Sequence, residues 1–316
     1  MTVIAQLIKL RDYISRYEWD MIRYPSQFIR IKKENYDRLY HLWSEQDLSK
    51  EEPIQAEENK TIKKSLFKKF VSLVKREENH EEEIVNKKQE TEALPQTKDE
   101  LIHYFLDKLF KFQLKWATST ISHISFVDKK YYHDPLLKYL LQRFPDNYLT
   151  MYFPIFNIRK APIDCEIVWI TPIGIEILHF IEAPEEAIII AGDDRTWRIE
   201  SKNTDKKILN PIIALKRSEN IINGILHTNQ IDFPITRTII SRTNRILFHT
   251  EPYNVTIIDK LEYPNWFRNK RALTSPLKSR QLKVADVLLK QCVANSVKRP
   301  EWEDENEESF YQTMDD

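Results

Sequence analysis

Residues 166–183 read EIVWITPIGIEILHFIEA. Two apolar runs, Glu166 to Ile170 and Ile175 to Ile181, flank the tetrapeptide Thr171-Pro172-Ile173-Gly174. Short runs rich in β-branched residues, separated by Pro and Gly, predict a β-hairpin. Glu166 opens the first run, and His179 stands in the second among Leu, Phe and Ile. The bland reading of His179 is a hydrogen-bonded residue in a half-buried strand, and that of Glu166 is a solvated carboxylate at a strand start.

The strand period continues on both sides of this hairpin. YLTMYFPIFNI, from Tyr148, reads as a strand, and AIIIAGDDRTWRIE as a second hairpin turning at Gly192-Asp193-Asp194. Asn210-Pro211 opens a helix, NPIIALKRSENIINGIL, whose Ile212, Leu215, Ile222 and Leu226 are spaced to pack on a sheet. ITRTIISRT leading into RILFHT, and NVTIIDKL, supply further strands, and a last helix is predicted over roughly 276–297. Upstream, Thr97-Lys98-Asp99-Glu100 has the form of a capping box. It precedes an apolar stripe of Leu101, Phe105, Leu109, Phe112 and Trp116. Asp134-Pro135 starts a second, shorter helix with Leu136, Leu137, Leu140 and Leu141 on its core side. The order of elements within residues 134–262 describes an α/β core with a mixed sheet flanked by helices.

Outside this core, residues 97–298 with their flanking helices, the chain changes character twice. Residues 1–44 carry Ile4, Leu7, Ile8, Ile14 and Tyr17 near a helical period and many aromatics, among them Trp19, Tyr24, Phe28, Tyr36, Tyr40 and Trp43. They predict a helical hairpin broken at Pro25. Residues 45–96 form a charged linker with an embedded basic amphipathic helix at 60–76. There Ile62, Leu66, Phe70 and Leu73 share one face, and Lys60, Lys63, Lys64, Lys68 and Lys69 supply the charge. Such a segment suits nucleic acid or an anionic membrane surface, or pairs with its acidic neighbours. Residues 299–316 are acidic and predict a disordered tail.

Composition excludes much. Among 316 residues, Lys+Arg and Asp+Glu both number 48, so net charge offers no global argument for a polyanionic partner. Only three glycines occur, Gly174, Gly192 and Gly224, too few and too scattered for a phosphate-cradling loop or a dinucleotide fingerprint. No His-Glu-x-x-His or Gly-x-Ser-x-Gly is present. Two cysteines, Cys165 and Cys292, sit in apolar surroundings and read as buried thiols of a reducing compartment, not as a zinc site. No signal peptide and no transmembrane run are visible, which sets the expectation of a cytoplasmic protein.

The hairpin, Trp197 and the Asn210-Pro211 helix together resemble the nuclease-related domain (NERD) family, a branch of the restriction-endonuclease-like nucleases. In that family an Asp lies in an apolar strand before a Ser/Thr-Pro-x-Gly turn. A strand ending Glu-x-Lys, a Trp and Asn-Pro-x-x-Gln follow. The resemblance covers about 130 residues, from near Asp134 to near Glu262. It implies a restriction-endonuclease-like mixed sheet, and a site in which two carboxylates hold Mg²⁺ or Mn²⁺ while a lysine activates water.

Transferred residue by residue, the first carboxylate falls on Glu166, or on Asp164 with a shifted register. The Glu position falls on His179, the Lys position on Ile181 and the Gln position on Ala214. Isoleucine has no charge to give. Lys216 and Arg217 on the following helix are the candidates for a migrated basic group. The expectation is therefore a non-catalytic relic of a nuclease, without cofactor, that binds a partner protein or nucleic acid. An active endonuclease with a rearranged metal site, and a scaffold docking on membrane or nucleic acid through residues 60–76, are the alternatives.

Overall fold

The computed structural model describes residues 4–48, 95–192, 195–202, 204–250 and 252–299. The basic segment at 60–76, the acidic tail, Asp193 and Asp194 lie outside them. The chain forms two compact units, Met1–Ile31 with Leu106–Asp316, and Lys32–Phe105.

The first unit is a mixed α/β fold. The strands are β1 (Gln6–Leu10), β2 (His123–Ile124), β3 (Leu149–Tyr152), β4 (Ile155–Ile158), β5 (Ala161–Asp164), β6 (Ile167–Thr171) and β7 (Gly174–Phe180). They continue with β8 (Ile188–Ala191), β9 (Thr196–Ser201), β10 (Thr204–Leu209), β11 (Ile235–Ile240), β12 (Arg245–Phe248), β13 (Thr256–Ile258) and β14 (Val297–Lys298). Among the described residues of both units the helices are α1 (Arg23–Leu48), α2 (Lys98–Trp116), α3 (Pro135–Arg143), α4 (Pro211–Thr228), α5 (Tyr263–Arg271) and α6 (Ser279–Lys290), of which residues 32–48 and 98–105 belong to the second unit.

A six-stranded sheet runs in the order β1-β3-β6-β7-β11-β13. β6 is antiparallel to both its neighbours, whereas β1, β3, β7, β11 and β13 all point the same way. On one face, Leu7, Leu10, Trp169, Leu178, Ile240 and Ile258 join Leu114, Leu137, Leu141, Phe144 and Trp266 in one buried cluster. Trp169 and Trp266 stack there with ring centroids 6.0 Å apart. α4 and α6 cover the opposite face, packing against β6, β7 and β11. A smaller sheet, β10-β9-β8-β12, and the pairs β4-β5 and β2-β14 complete the unit.

The hairpin that opened the reading forms as expected. The Thr171 hydroxyl accepts the Ile173 and Gly174 N–H groups, at 3.3 and 3.2 Å, and donates to the Gly174 carbonyl at 2.8 Å. Glycine suits position 174 because a Cβ there would stand 3.0 Å from the Pro234 carbonyl oxygen, a crowded approach. That carbonyl accepts the Ile175 N–H at 2.7 Å and so sets β11 in register beside β7. The other caps also form. Asp134 accepts the Leu136 and Leu137 N–H groups at 3.0 Å, Asn210 accepts that of Ile212, and Thr97 and Glu100 exchange the capping-box bonds.

Several expectations are corrected. Residues 6–10 form a strand instead of a helix. Ile4, Leu7 and Ile8 satisfy a helical period, but the whole run is buried and pairs in parallel with β3, where a continuous apolar strand is the stable form. The first helix starts at Arg23, and Pro25 lies in its first turn, where a missing N–H costs nothing, so it does not break the helix. The run from Tyr148 divides into β3 and β4, because Phe153 takes a positive φ of 48° before Pro154. The predicted last helix is shorter, Ser279–Lys290, and α5 precedes it. In the unit Lys32–Phe105, Tyr36 packs edge-on to Phe105 and the Trp43 indole donates to the Pro95 carbonyl at 2.8 Å.

Candidate active site

All five co-directed strands of the large sheet end at one edge, and β6 begins there. In open α/β sheets the carboxyl ends of parallel strands are where ligands are held. The β6–β7 register pairs Ile167 with Leu178. One step further along, Glu166 therefore faces His179 across the two strands, on the side covered by α4.

The two side chains meet. His179 Nδ1 lies 3.0 Å from Glu166 Oε2, with the side chains 28% and 13% exposed. Nδ1 in contact with a carboxylate oxygen is the arrangement that orients an imidazole: Nδ1–H donates to Glu166, which leaves Nε2 as the ring nitrogen turned away from the carboxylate. Glu166 is itself fixed from behind. Its backbone N–H donates to the Ser218 hydroxyl at 3.0 Å, and that hydroxyl donates to the Ala214 carbonyl one turn back on α4, at 2.9 Å. The pair is thus a half-buried acid–base dyad braced by a buried serine.

The other residues singled out from sequence are placed as follows. Ile181 is buried, 6% exposed, one residue beyond β7 on the same side as His179. Lys216 and Arg217 are exposed on α4. Neither bonds to the dyad, although Arg217 is near enough to draw down the Cys165 pKa. Asp164 is not interchangeable with Glu166. It ends β5 and pairs with Arg11 at 3.1 Å. Lys60, Lys63, Lys64, Lys68 and Lys69 lie outside the described residues. Among the described residues, no group of three or more His, Cys, Asp or Glu side chains is placed to hold a metal ion. No helix of the described residues is long and apolar enough to cross a membrane.

Sequence reading missed the other half of this edge. Arg242 lies over the Tyr139 ring at 4.5 Å and bonds Glu182, and the Tyr139 and Tyr263 hydroxyls bond each other. The buried Asn244 donates to the Pro184 and Ala187 carbonyls and accepts the Ala183 N–H at 2.9 Å, which fixes the segment leaving β7. These partners are 57 to 124 residues apart in the chain, and nothing in local composition pairs them.

Both cysteines are free; Cys165 is buried as expected, whereas Cys292 is half-buried. Burial pushes the Cys165 thiol up to about 11, against the opposing Ser218 bond and Arg217 charge, and pushes Cys292 up to about 12. Both thiols stay protonated at neutral pH, and the thiolate is the reactive form. The folded protein at pH 8 is therefore expected to take up no iodoacetamide within an hour, and the denatured protein two equivalents. Rapid labelling of either cysteine in the folded state, read by mass spectrometry, would contradict this environment.

No family model matches the chain, and no solved structure matches it. The chain is similar to a Geobacillus stearothermophilus protein named RNA 2',3'-cyclic phosphodiesterase, 33% identical over 115 residues, which are 35% of this chain. The match spans about a third of that relative's length, 36%. This likeness overturns the expectation of a nuclease relic that acts by binding, along with its metal-endonuclease and docking-scaffold alternatives. The printed name of that relative denotes phosphoester chemistry on RNA. Reading Glu166 and His179 as worn-out metal ligands missed that the hairpin register joins them to each other.

Proposed function

We propose that this chain is a phosphoesterase acting on RNA-type phosphodiesters, with a terminal 2',3'-cyclic phosphate as the substrate class. The observation that carries the reading is the Glu166–His179 dyad at the carboxyl edge of the sheet. The similarity to the Geobacillus stearothermophilus protein supplies the substrate class. Hydrolysis of a cyclic phosphate needs a base that takes a proton from water. His179 Nε2 takes it, and Glu166 stabilises the imidazolium that results. The water oxygen bonds to phosphorus, one ribose P–O bond breaks, and the departing ribose oxygen takes up a proton, leaving a phosphomonoester. The free thiols of Cys165 and Cys292 accord with a cytoplasmic setting.

The test is turnover by the full chain of a short RNA ending in a 2',3'-cyclic phosphate, with the product resolved by mass. Gain of one water is expected, with activity persisting in EDTA, since the proposed groups act by proton transfer. Glu166→Gln is expected to lower the rate about tenfold or more, because an amide no longer stabilises the imidazolium. A chain that leaves the cyclic phosphate intact under all conditions tested would refute the reading.

A further inference from the structure

A second polar site lies where β11 and β13 begin. An open cleft of about 640 Å³ is lined by Glu219 from α4, Arg237 from β11, and Tyr253, Val255 and Thr256 from the loop and strand that follow β12. Arg237 is 8% exposed, a buried cation between Thr236 and Thr238 in β11. Its Nε is 3.3 Å from Glu219 Oε2. The contact is not aligned as a hydrogen bond, and this buried Nε donates to nothing. A buried guanidinium donor without an acceptor is costly, and buried charges are normally both paired and hydrogen-bonded. Glu219 keeps a side chain 23% exposed beside it. Tyr253, 87% exposed, presents a whole aromatic ring at the rim.

The ligand that suits these groups is planar, and carries an acceptor for Arg237 next to a donor for Glu219. We infer that this cleft binds a guanine base. Guanine offers O6 and N7 as acceptors to an arginine fork and its N1–H and N2–H₂ as donors to a carboxylate. An exposed tyrosine adds a face on which the base stacks. Adenine presents an amino donor where guanine presents O6, so it leaves the arginine opposed by a donor. Uracil lacks the paired donors. The site concerns binding and does not depend on the hydrolysis proposed above.

Binding of 5'-GMP, 5'-AMP and 5'-UMP to the full chain, and of a 3'-hydroxyl RNA pentamer with one central G or A, is measured by titration calorimetry. None of these probes carries a cyclic phosphate, so failure of hydrolysis does not bear on the result. The guanine ligand is expected to bind at least tenfold more tightly than its adenine counterpart. Preference among the mononucleotides marks a free-nucleotide site, and preference among the pentamers alone marks an RNA site. Either supports the inference. Tyr253→Ala, at a fully accessible ring, is expected to weaken binding about tenfold, and Glu219→Gln to erase the preference for guanine. Arg237→Lys is expected to erase it also, though its buried position makes the first two variants the decisive ones. Equal affinity for G and A ligands, no binding of either, or binding indifferent to both Tyr253→Ala and Glu219→Gln would overturn the site.

Discussion

Under the proposed phosphoesterase function, replacing His179 by alanine is expected to lower turnover of an RNA 2',3'-cyclic phosphate by about 10²–10⁴-fold, the usual weight of a positioned general base. The imidazole sits at the end of β7 with one nitrogen committed to Glu166 at 3.0 Å, so the other is the group that can meet water. Removing it deletes the base, while Glu166 keeps its bond through Ser218. The loss should fall on kcat, with KM little changed, because the ring does its work in the transition state. Thermal unfolding should also change little, since the side chain is 28% exposed. A fall in KM-dependent binding alone, or an activity within threefold of the parent, would remove His179 from the reaction.

The second large effect is on stability. Lys9 lies in β1 with no exposed surface, and its ammonium bonds Glu18 at 2.5 Å and the Tyr13 carbonyl at 2.7 Å. Lys9→Met keeps the volume and strands the carboxylate, at an expected cost of about 3 kcal/mol. For a unit of this size that is a fall in Tm of roughly 6–12 °C. The pH dependence follows from Glu18. Burial already raises its pKa above the usual value, against the pull of Lys9. A carboxyl whose folded pKa is raised favours the folded state below its unfolded pKa, and that contribution is lost as pH rises through the folded pKa. Without Lys9 the shift grows, so the deficit of Lys9→Met should be largest near neutral pH and shrink on acidification toward the carboxylate range. Urea unfolding at a series of pH values measures this. A deficit that is flat with pH, or below 1 kcal/mol throughout, would show that the pair carries no weight. Adding Glu18→Gln to Lys9→Met should restore much of the loss.

What was legible in the chain was local. The hairpin at 166–181 is written in its two β-branched apolar runs and its Thr-Pro-Ile-Gly turn, and the starts of α3 and α4 in Asp134-Pro135 and Asn210-Pro211. What was hidden depends on distant partners. β1 reads as a helix because Ile4, Leu7 and Ile8 fit that period, and only pairing with β3 decides otherwise. β10, with Lys206 and Lys207, lacks an apolar signal because it is the edge of the small sheet, where lysines are expected. α5 escapes because Trp266 and Phe267 are set among charged residues. In the site, Glu166 and His179 were both visible as anomalies in apolar runs, yet their bond follows only from the strand register. Arg237 carried a similar signal, a lone cation within ITRTII, whose meaning waits on the cleft beside it.

The pairing of β1 with β3 also sets an order of events at the ribosome. Gln6 finds its neighbour Leu149 only after more than a hundred further residues have been made. At bacterial-to-eukaryotic translation speeds that is a delay of roughly 7–30 s. Throughout that interval the apolar segment around Leu7 and Ile8 lacks its strand partner, although Ser15 and Gln113, which bond its backbone, are made earlier, and a sticky strand left unpaired is what holdase chaperones capture. Biosynthesis of this protein should therefore lean on such chaperones early, until the third strand emerges and pairs with the first.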